Sequence, residues 1–428
     1  MQSRTFFLLC GLLAGCAAAP YAQEGLVLTG YVTRAASASD FDVNGVRILC
    51  SGKAADNSKP FPDVTDATVE CPGEAPHIGD SFAIHYTVRY TGLNAICATR
   101  IDKQHTSSFG RVSGSAVIDA MPAEETVGGK PTDLTVRADG YRIRITANTK
   151  IDWSPPLQSL ADVKVGNWIK YKGKIDAAGV LVAASVQIGP NAIGSGEKKL
   201  RTNNEYDPSA IPAEAKQNYL KDAVTVGYDP KKFSPFKDVV LQARIEKIGN
   251  SLVPAYQRAL PVSDPAKTDF RFQLIDTKLF RDAFTLPNGI ILVPHQVVEK
   301  MQNDSQLAAI LADGIARVLE RQEYRMEGKI KAGYAVGLAG AVVPGAGIGS
   351  AVAVEIQTKL MEQRSRVSLC LLHDAGYDIA QAPMAWWLPA AGKPEPVSDI
   401  EVPERAAYLY RILGKIWRDS AVPAPTAH

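Results

Sequence analysis

An excess of charge of either sign is missing from this chain. Its 47 Lys and Arg stand against 45 Asp and Glu, a formal net charge of +2 over 428 residues. That balance leaves no global field to steer the protein toward nucleic acid or an anionic membrane surface. Cysteine is scarce, with six residues and no Cys-x-x-Cys pair, which argues against a cysteine zinc module. Histidine also numbers six, and no pair stands at the spacing of a His-Glu-x-x-His helix. Long apolar runs are nearly absent. The one uncharged stretch of spanning length, Ala332 to Val354, is broken by Pro344 and dense glycine and has no aromatic belt. It reads as two short packed helices around a Gly-Pro-Gly break.

The N-terminus, "MQSRTFFLLCGLLAGCAAAPYAQ", has one basic residue, a short apolar core and then small residues. Residues 1–22 are therefore expected to be an export signal. Leu13-Ala14-Gly15-Cys16 resembles a bacterial lipobox, which would make Cys16 the lipidated first residue; the chain is expected in the periplasm or as an outer-membrane-anchored lipoprotein of a bacterium. The competing route is ordinary cleavage among Ala17 to Ala22, which Pro20 disfavours. Membrane contact is expected only through the lipid.

Export implies an oxidising compartment. Cys50 and Cys71 flank a polar loop, and a bridge between them would contribute about 3 kcal/mol through loop closure. Cys97 is an alternative partner, while Cys370 lies in an apolar stretch and reads as a buried thiol.

Residues 25–190 alternate apolar and polar positions in short runs broken by Gly, Asn and Asp. They contain a repeat. Residues 78–101 align without gaps on 165–188, placing Gly79 on Gly166 and Gly92 on Gly179. Upstream, Gly30 is matched with Gly110, and Asn44 of "NGVRI" with Asp139 of "DGYRI". The reading is two tandem small OB-like β-barrels, residues 25–105 and 106–190. On the second, Tyr141, Trp153, Trp168 and Tyr171 are either a binding face or, as the blander reading has it, core and rim aromatics. Its "GRVSGSAVIDA", "DGYRIRITANTKID" and "LADVKVGNWIKYKGKIDAAGVLVAASVQI" resemble a family of small β-barrel domains of unknown function from exported bacterial proteins.

Residues 191–234 read as a linker, with a short helix at Ala213 to Leu220. From Pro235 the period becomes helical, with Ser234 as cap and Val239, Ala243, Ile245, Ile248, Leu252 and Val253 on the buried side. "FRFQLID" and "DAFTLPNGIILVP" read as strands, the latter a hairpin around Pro287-Asn288-Gly289. A helix capped by Asn303 or Asp304 follows, burying Leu307, Ile310, Leu311, Ile315, Val318 and Leu319.

This order of helix, strand, hairpin and helix, together with "DAFTLPNGIILV", "NDSQLAAILADGIARVLERQ" and "LLHDAGYD", resembles the zinc metallopeptidases of the HtpX, CAAX-prenyl-protease and BepA group. The likeness covers about Pro235 to Leu413 and implies a mainly helical domain with a small sheet at 235–415, followed by a tail at 416–428. In such enzymes two histidines one turn apart bind zinc and the glutamate between them is the general base. Carried over, the first histidine position is Asp313, the base Gly314, the second histidine Arg317 and the third ligand Gln363, with Ser365 at the aspartate two residues beyond. A guanidinium cannot ligate zinc, and glycine has no proton acceptor. The family's zinc is thus expected but its ligands are gone. Asp313 and Arg317, at i and i+4, are expected to form an ion pair in the space of the metal.

His295 and His373 stand at no ligand position and read as packing or surface residues. The resemblance also implies a peptide-binding edge at Phe284, Thr285, Leu286, Gly289, Ile290 and Ile291, where an extended polypeptide would add as a strand. The expectation is an α+β multidomain protein: two barrels, then a metallopeptidase-like domain that is catalytically silent and serves as a cell-envelope scaffold or polypeptide-binding module. Two alternatives stand beside it. One is an active metalloendopeptidase with a rearranged site; the other is envelope-polymer binding through the β-modules.

Overall fold

The computed structural model describes residues 26–50, 69–90, 94–104, 110–121, 134–176, 178–210, 233–277, 283–326, 348–391 and 402–417. The targeting segment with Cys16, the helix expected at 213–220, most of the 332–354 stretch and the tail from 418 onward lie outside them. The architecture is mixed α+β, with two closed five-strand barrels followed by a helical region. No helix of the described residues is long and apolar enough to cross a membrane.

The first barrel comprises β1 (Leu26–Ser37), β2 (Asp40–Val43), β3 (Val46–Leu49), β4 (Ser81–Tyr90) and β5 (Ala95–Lys103), closed in the order β1-β2-β3-β5-β4. Its core holds Val32, Phe41, Ile48, Ile84 and Ile96. Cys50 and Cys71 are joined by a disulfide that pins the segment between β3 and β4, and Cys97 is a buried free thiol.

The second barrel comprises β6 (Arg111–Ala120), β7 (Leu134–Ala138), β8 (Tyr141–Ile145), β10 (Trp168–Ile175) and β11 (Leu181–Gly189), with the same closure. An extra strand, β9 (Lys150–Trp153), pairs with β11 beyond the point where β8 leaves it. Tyr141 and Tyr171 lie in the core, whereas Trp153 and Trp168 are half-buried. The four do not form one open aromatic face.

The repeat reaches individual hydrogen bonds. Val32 N–H donates to Asp80 O and Gly79 N–H to Val32 O; Ile118 N–H donates to Asn167 O and Gly166 N–H to Ile118 O. In both copies the Asp80 or Asn167 side chain accepts the backbone N–H three residues upstream, at His77 or Lys164. Gly79 and Gly166 adopt φ of 89° and 92°, and Asn44-Gly45 and Asp139-Gly140 form matching positive-φ hairpin turns. The pairing of Gly30 with Gly110 is corrected. Strand register sets Gly30 opposite Phe82 and its counterpart Ala116 opposite Ile169, while Gly110 lies before β6 begins. A shared "G-x-V" was outweighed by the hydrogen-bond register.

The supposed linker contains α1 (Ser195–Thr202), held not by an apolar period but by the buried Glu197, which pairs with Arg201 and Arg321. Tyr206 and Phe233 join a small cluster with Leu286, Ile290 and Leu292. The next helix, α2 (Val239–Leu252), starts later than expected. Asp238 caps it with bonds from Val240 and Leu241 N–H, while Pro235 bridges to Ile275. Val239 is 85% exposed, because the first turn projects beyond the core that Ile245, Ile248 and Leu252 enter.

After α3 (Ala255–Ala259), strands β12 (Arg271–Ile275), β13 (Phe284–Thr285) and β14 (Ile290–Pro294) form a sheet in the order β12-β14-β13. Then come α4 (His295–Lys300), α5 (Asp304–Leu319), α6 (Ile348–Asp374), α7 (Ala382–Ala391) and α8 (Glu404–Ile416). Helix α5 is buried on nearly every side, between α2, the sheet, α6 and α7. Asn303 caps it by accepting Gln306 N–H at 2.9 Å. Helix α8 packs against both barrels. Gly79 meets the backbone of Tyr410 and Gly414, Tyr31 stacks on Tyr410, and Gly179 faces Ile416.

Candidate functional site

The four motif positions lie on the packed pair α5 and α6. Asp313 is buried and faces two cations, Arg405 of α8 and Arg364 of α6, the latter at 3.2 Å. Arg405 also lies over the Trp386 ring, 3.4 Å from its centroid. The expected Asp313–Arg317 pair does not form. Arg317, in the last turn, reaches forward to Glu323 instead. Asp313 looks inward, where two guanidinium groups are nearer than its own helical neighbour.

Gly314 has a packing reason. A Cβ there would stand 2.9 Å from Thr285 Oγ1 and 3.0 Å from Ile291 Cδ1, so the helix rides on the β13–β14 hairpin with only a hydrogen between them. Its helix-propensity deficit of about 1 kcal/mol relative to Ala is offset by that close approach.

Gln363 is bound on both ends of its amide. Its Nε2 donates to Ser115 O at 2.9 Å and to Glu320 at 3.3 Å; its Oε1 accepts from Arg325 at 2.8 Å and Gln322 at 3.3 Å. The third-ligand position is thus covered by strand β6 of the second barrel. Ser365 is wholly buried beside Met361 Sδ.

These residues do not fit a zinc ion. The single carboxylate is neutralised by two guanidinium groups, the amide oxygen is already taken by Arg325, and glycine and arginine supply no ligand. Among the described residues, no three His, Cys, Asp or Glu side chains stand together for a metal. His295 stacks on Phe236 with centroids 4.0 Å apart, and His373 leans on Trp417.

The strand expected to accept a peptide is placed differently. Ile290 and Ile291 belong to β14, the middle of the sheet, with both ladders occupied by β12 and β13. Leu286 is buried, and Gly289, φ 96°, makes the turn. Of those six residues, only Phe284 and Thr285, the two-residue β13, lie at an edge, and Phe284 packs on Phe233 at 5.5 Å. The chain's own segment around Tyr206 and Phe233 thus covers that side.

Sequence reasoning missed the polar junction between barrel two and the helices. Arg366 of α6 donates through Nε to Asp139 O at 2.9 Å, through Nη2 to the Asp139 carboxylate and through Nη1 to Tyr408. Tyr171 donates to the same carboxylate. Burial alone would lower the Arg366 pKa, but Asp139 and the tyrosines around it hold it well above its ordinary value. Glu320, at the end of α5, is almost fully enclosed. Burial, and then the Asp139 charge, raise its pKa well above the usual glutamate range. Asp139-Gly140 carried a turn signal in the sequence, but nothing nearby indicated an arginine 227 residues away.

Beside this junction lies a cleft of about 1000 Å³ between the outer face of barrel two and helices α6 and α8. Residues 124–187 match the family described as a domain of unknown function, DUF5666. The match covers barrel two apart from its first strand, and hence most of one cleft wall. No curated protein matches the chain.

Proposed function

We propose that the helical region is a catalytically silent relative of the HtpX-type metallopeptidases, acting as a rigid scaffold for the barrels in the bacterial cell envelope. One observation carries this reading: each motif position is committed to the protein's own structure. Asp313 is held by Arg364 and Arg405, Gly314 by the hairpin, Arg317 by Glu323, and Gln363 by Ser115 and Arg325. Removing the Asp313 charge from between two half-buried cations would be destabilising, so the position now serves the fold. The N-terminal segment, read as an export signal with a lipobox-like Leu13-Ala14-Gly15-Cys16, supports an envelope location.

Elemental analysis tests the reading on protein purified without a metal-affinity tag. No stoichiometric zinc and no chelator-sensitive peptide cleavage are expected. One tightly held zinc per chain, lost to chelator together with proteolysis, would overturn it.

A further inference from the structure

The net charge of the whole chain is close to zero, yet the cleft is not neutral: seven Lys or Arg side chains line it against three carboxylates. Two of those carboxylates are already engaged, Asp139 by Arg366 and Glu362 by Arg411 at 3.5 Å. On the barrel wall, strand register sorts hydrogen-bonding side chains into rows. Lys172 stands opposite Ser113 of β6 on one side and Ser185 of β11 on the other. Lys170 stands opposite Ser115 and Gln187 in the same way; Gln187 also donates to Ser154 Oγ at 3.3 Å, and the third carboxylate, Asp152, stands beyond it on β9. Directly paired residues share a sheet face with side chains roughly 5 Å apart, and positions i and i+2 recur at about 7 Å. Each row is therefore an ammonium flanked by two neutral hydrogen-bonding groups, and two such rows follow one another along β10. Arg111 lies further along the same face, and Arg325 and Arg411 stand on the helical wall. Among the described residues, Lys170 and Lys172 have no carboxylate partner.

We propose that this cleft binds a ligand carrying several phosphate groups, seating one phosphate at each Ser-Lys-Ser or Ser-Lys-Gln row, with the rows roughly 7 Å apart. A carboxylate offers two oxygens in one plane. A phosphate holds its oxygens in a tetrahedral array rather than one plane, which suits donors converging from adjacent strands. Lysine serves such sites as a point charge, and the volume is at the upper end of ligand pockets. The chemistry is shared by a free phosphopolymer and by the headgroups of anionic phospholipids.

Fluorescence anisotropy with labelled short-chain inorganic polyphosphate, run on the full chain, tests the site. Vesicles of phosphatidylcholine with phosphatidylglycerol form a second arm, and poly-glutamate is the carboxylate control. The variant is Lys170→Glu/Lys172→Glu, with Lys170→Gln/Lys172→Gln as a milder form should the first fold poorly. The charge-matched control is Lys247→Glu/Lys300→Glu, at exposed positions outside the cleft. Loss of two charge-assisted contacts predicts at least about a tenfold weaker Kd for the cleft variant and less than about twofold for the control. Cleft-dependent binding of polyphosphate assigns a soluble polymer, and cleft-dependent binding of vesicles alone assigns a lipid headgroup. Equal losses in cleft and control variants, poly-glutamate binding as tightly as polyphosphate, or no binding in either phosphate arm would overturn the proposal. The metal content of the helical region does not enter any of these outcomes.

Discussion

The two barrels share a strand order, a hairpin turn and an Asx-type turn, yet they use equivalent positions for different ends. At the β2–β3 hairpin of the first, Asn44 turns inward, accepting Tyr31 N–H at 3.0 Å and donating to Thr29 O at 3.2 Å. At the matching turn of the second, Asp139 turns outward and takes Arg366 and Tyr171. One side chain closes its own barrel; the other fastens its barrel to the helices. The first barrel is stapled by a disulfide, whereas the second has none and relies on a buried polar junction. A repeated fold thus fixes backbone geometry and leaves the attachment chemistry to a few substituted side chains.

That contrast can be broken experimentally, and the junction should give the largest effect. Arg366→Ala leaves Asp139 buried without its cation. It is expected to cost about 3–5 kcal/mol, read by urea denaturation, with barrel two losing protection in hydrogen exchange before barrel one. A uniform loss across both barrels would show that they are not separately fastened.

Next in size is the staple. Cys50→Ser/Cys71→Ser opens a crosslink spanning 21 residues and is expected to cost about 3 kcal/mol, confined to the first barrel. Chemical denaturation of the double variant, under conditions where the wild type stays oxidised, measures it.

The glycine pair sharpens the comparison further. Gly79→Ala and Gly166→Ala impose the same backbone strain, about 1–2 kcal/mol. Only the first also drives a Cβ into the Tyr410 and Gly414 backbone of α8, whereas at Gly166 the nearest atom is 3.9 Å away. Thermal melting should therefore show the Gly79 variant roughly 1–3 kcal/mol worse than its partner. Equal effects would mean that α8 does not press on the first barrel.

The smallest effect concerns Glu320. Its folded-state pKa is raised, so the folded protein binds that proton more tightly than the unfolded chain does. Its contribution is then most favourable below the ordinary glutamate range and is lost as pH rises through the raised value. Melting temperatures followed upward in pH from the ordinary glutamate range should fall less steeply in Glu320→Gln than in wild type. Superimposable profiles would place the proton elsewhere.

Much of the local structure was legible in the sequence. Asn44-Gly45, Asp139-Gly140 and Pro287-Asn288-Gly289 announced turns because positive φ restricts residue choice. The apolar spacing of Leu307 to Leu319 announced a buried helix. The alignment of 78–101 on 165–188 anticipated a shared hydrogen-bond scheme. What failed was long-range partner choice. Asp313 and Arg317 are correctly spaced to meet, and an isolated helix would favour that pair by a few tenths of a kcal/mol. In the folded protein the nearer cations arrive from α6 and α8. Helix α1 escaped notice because its anchor, Glu197, is a buried charge held by Arg321 from another element. The β14 strand was read as an edge because nothing in its composition tells how many neighbours flank it.

By itself the sequence determined the alternation, the turns, the repeat and the absence of histidine at 313 and 317 and of a carboxylate at 314, all of which follow from the residue types and their near neighbours. Tertiary structure alone decided which cation faces Asp313, that Ser115 covers Gln363, and that Lys170 and Lys172 of a near-neutral chain line one cleft with Arg111, Arg325 and Arg411. Those outcomes depend on distances between elements far apart in sequence. Coulombic and hydrogen-bonding energies change over a few ångströms, a scale that residue order does not specify.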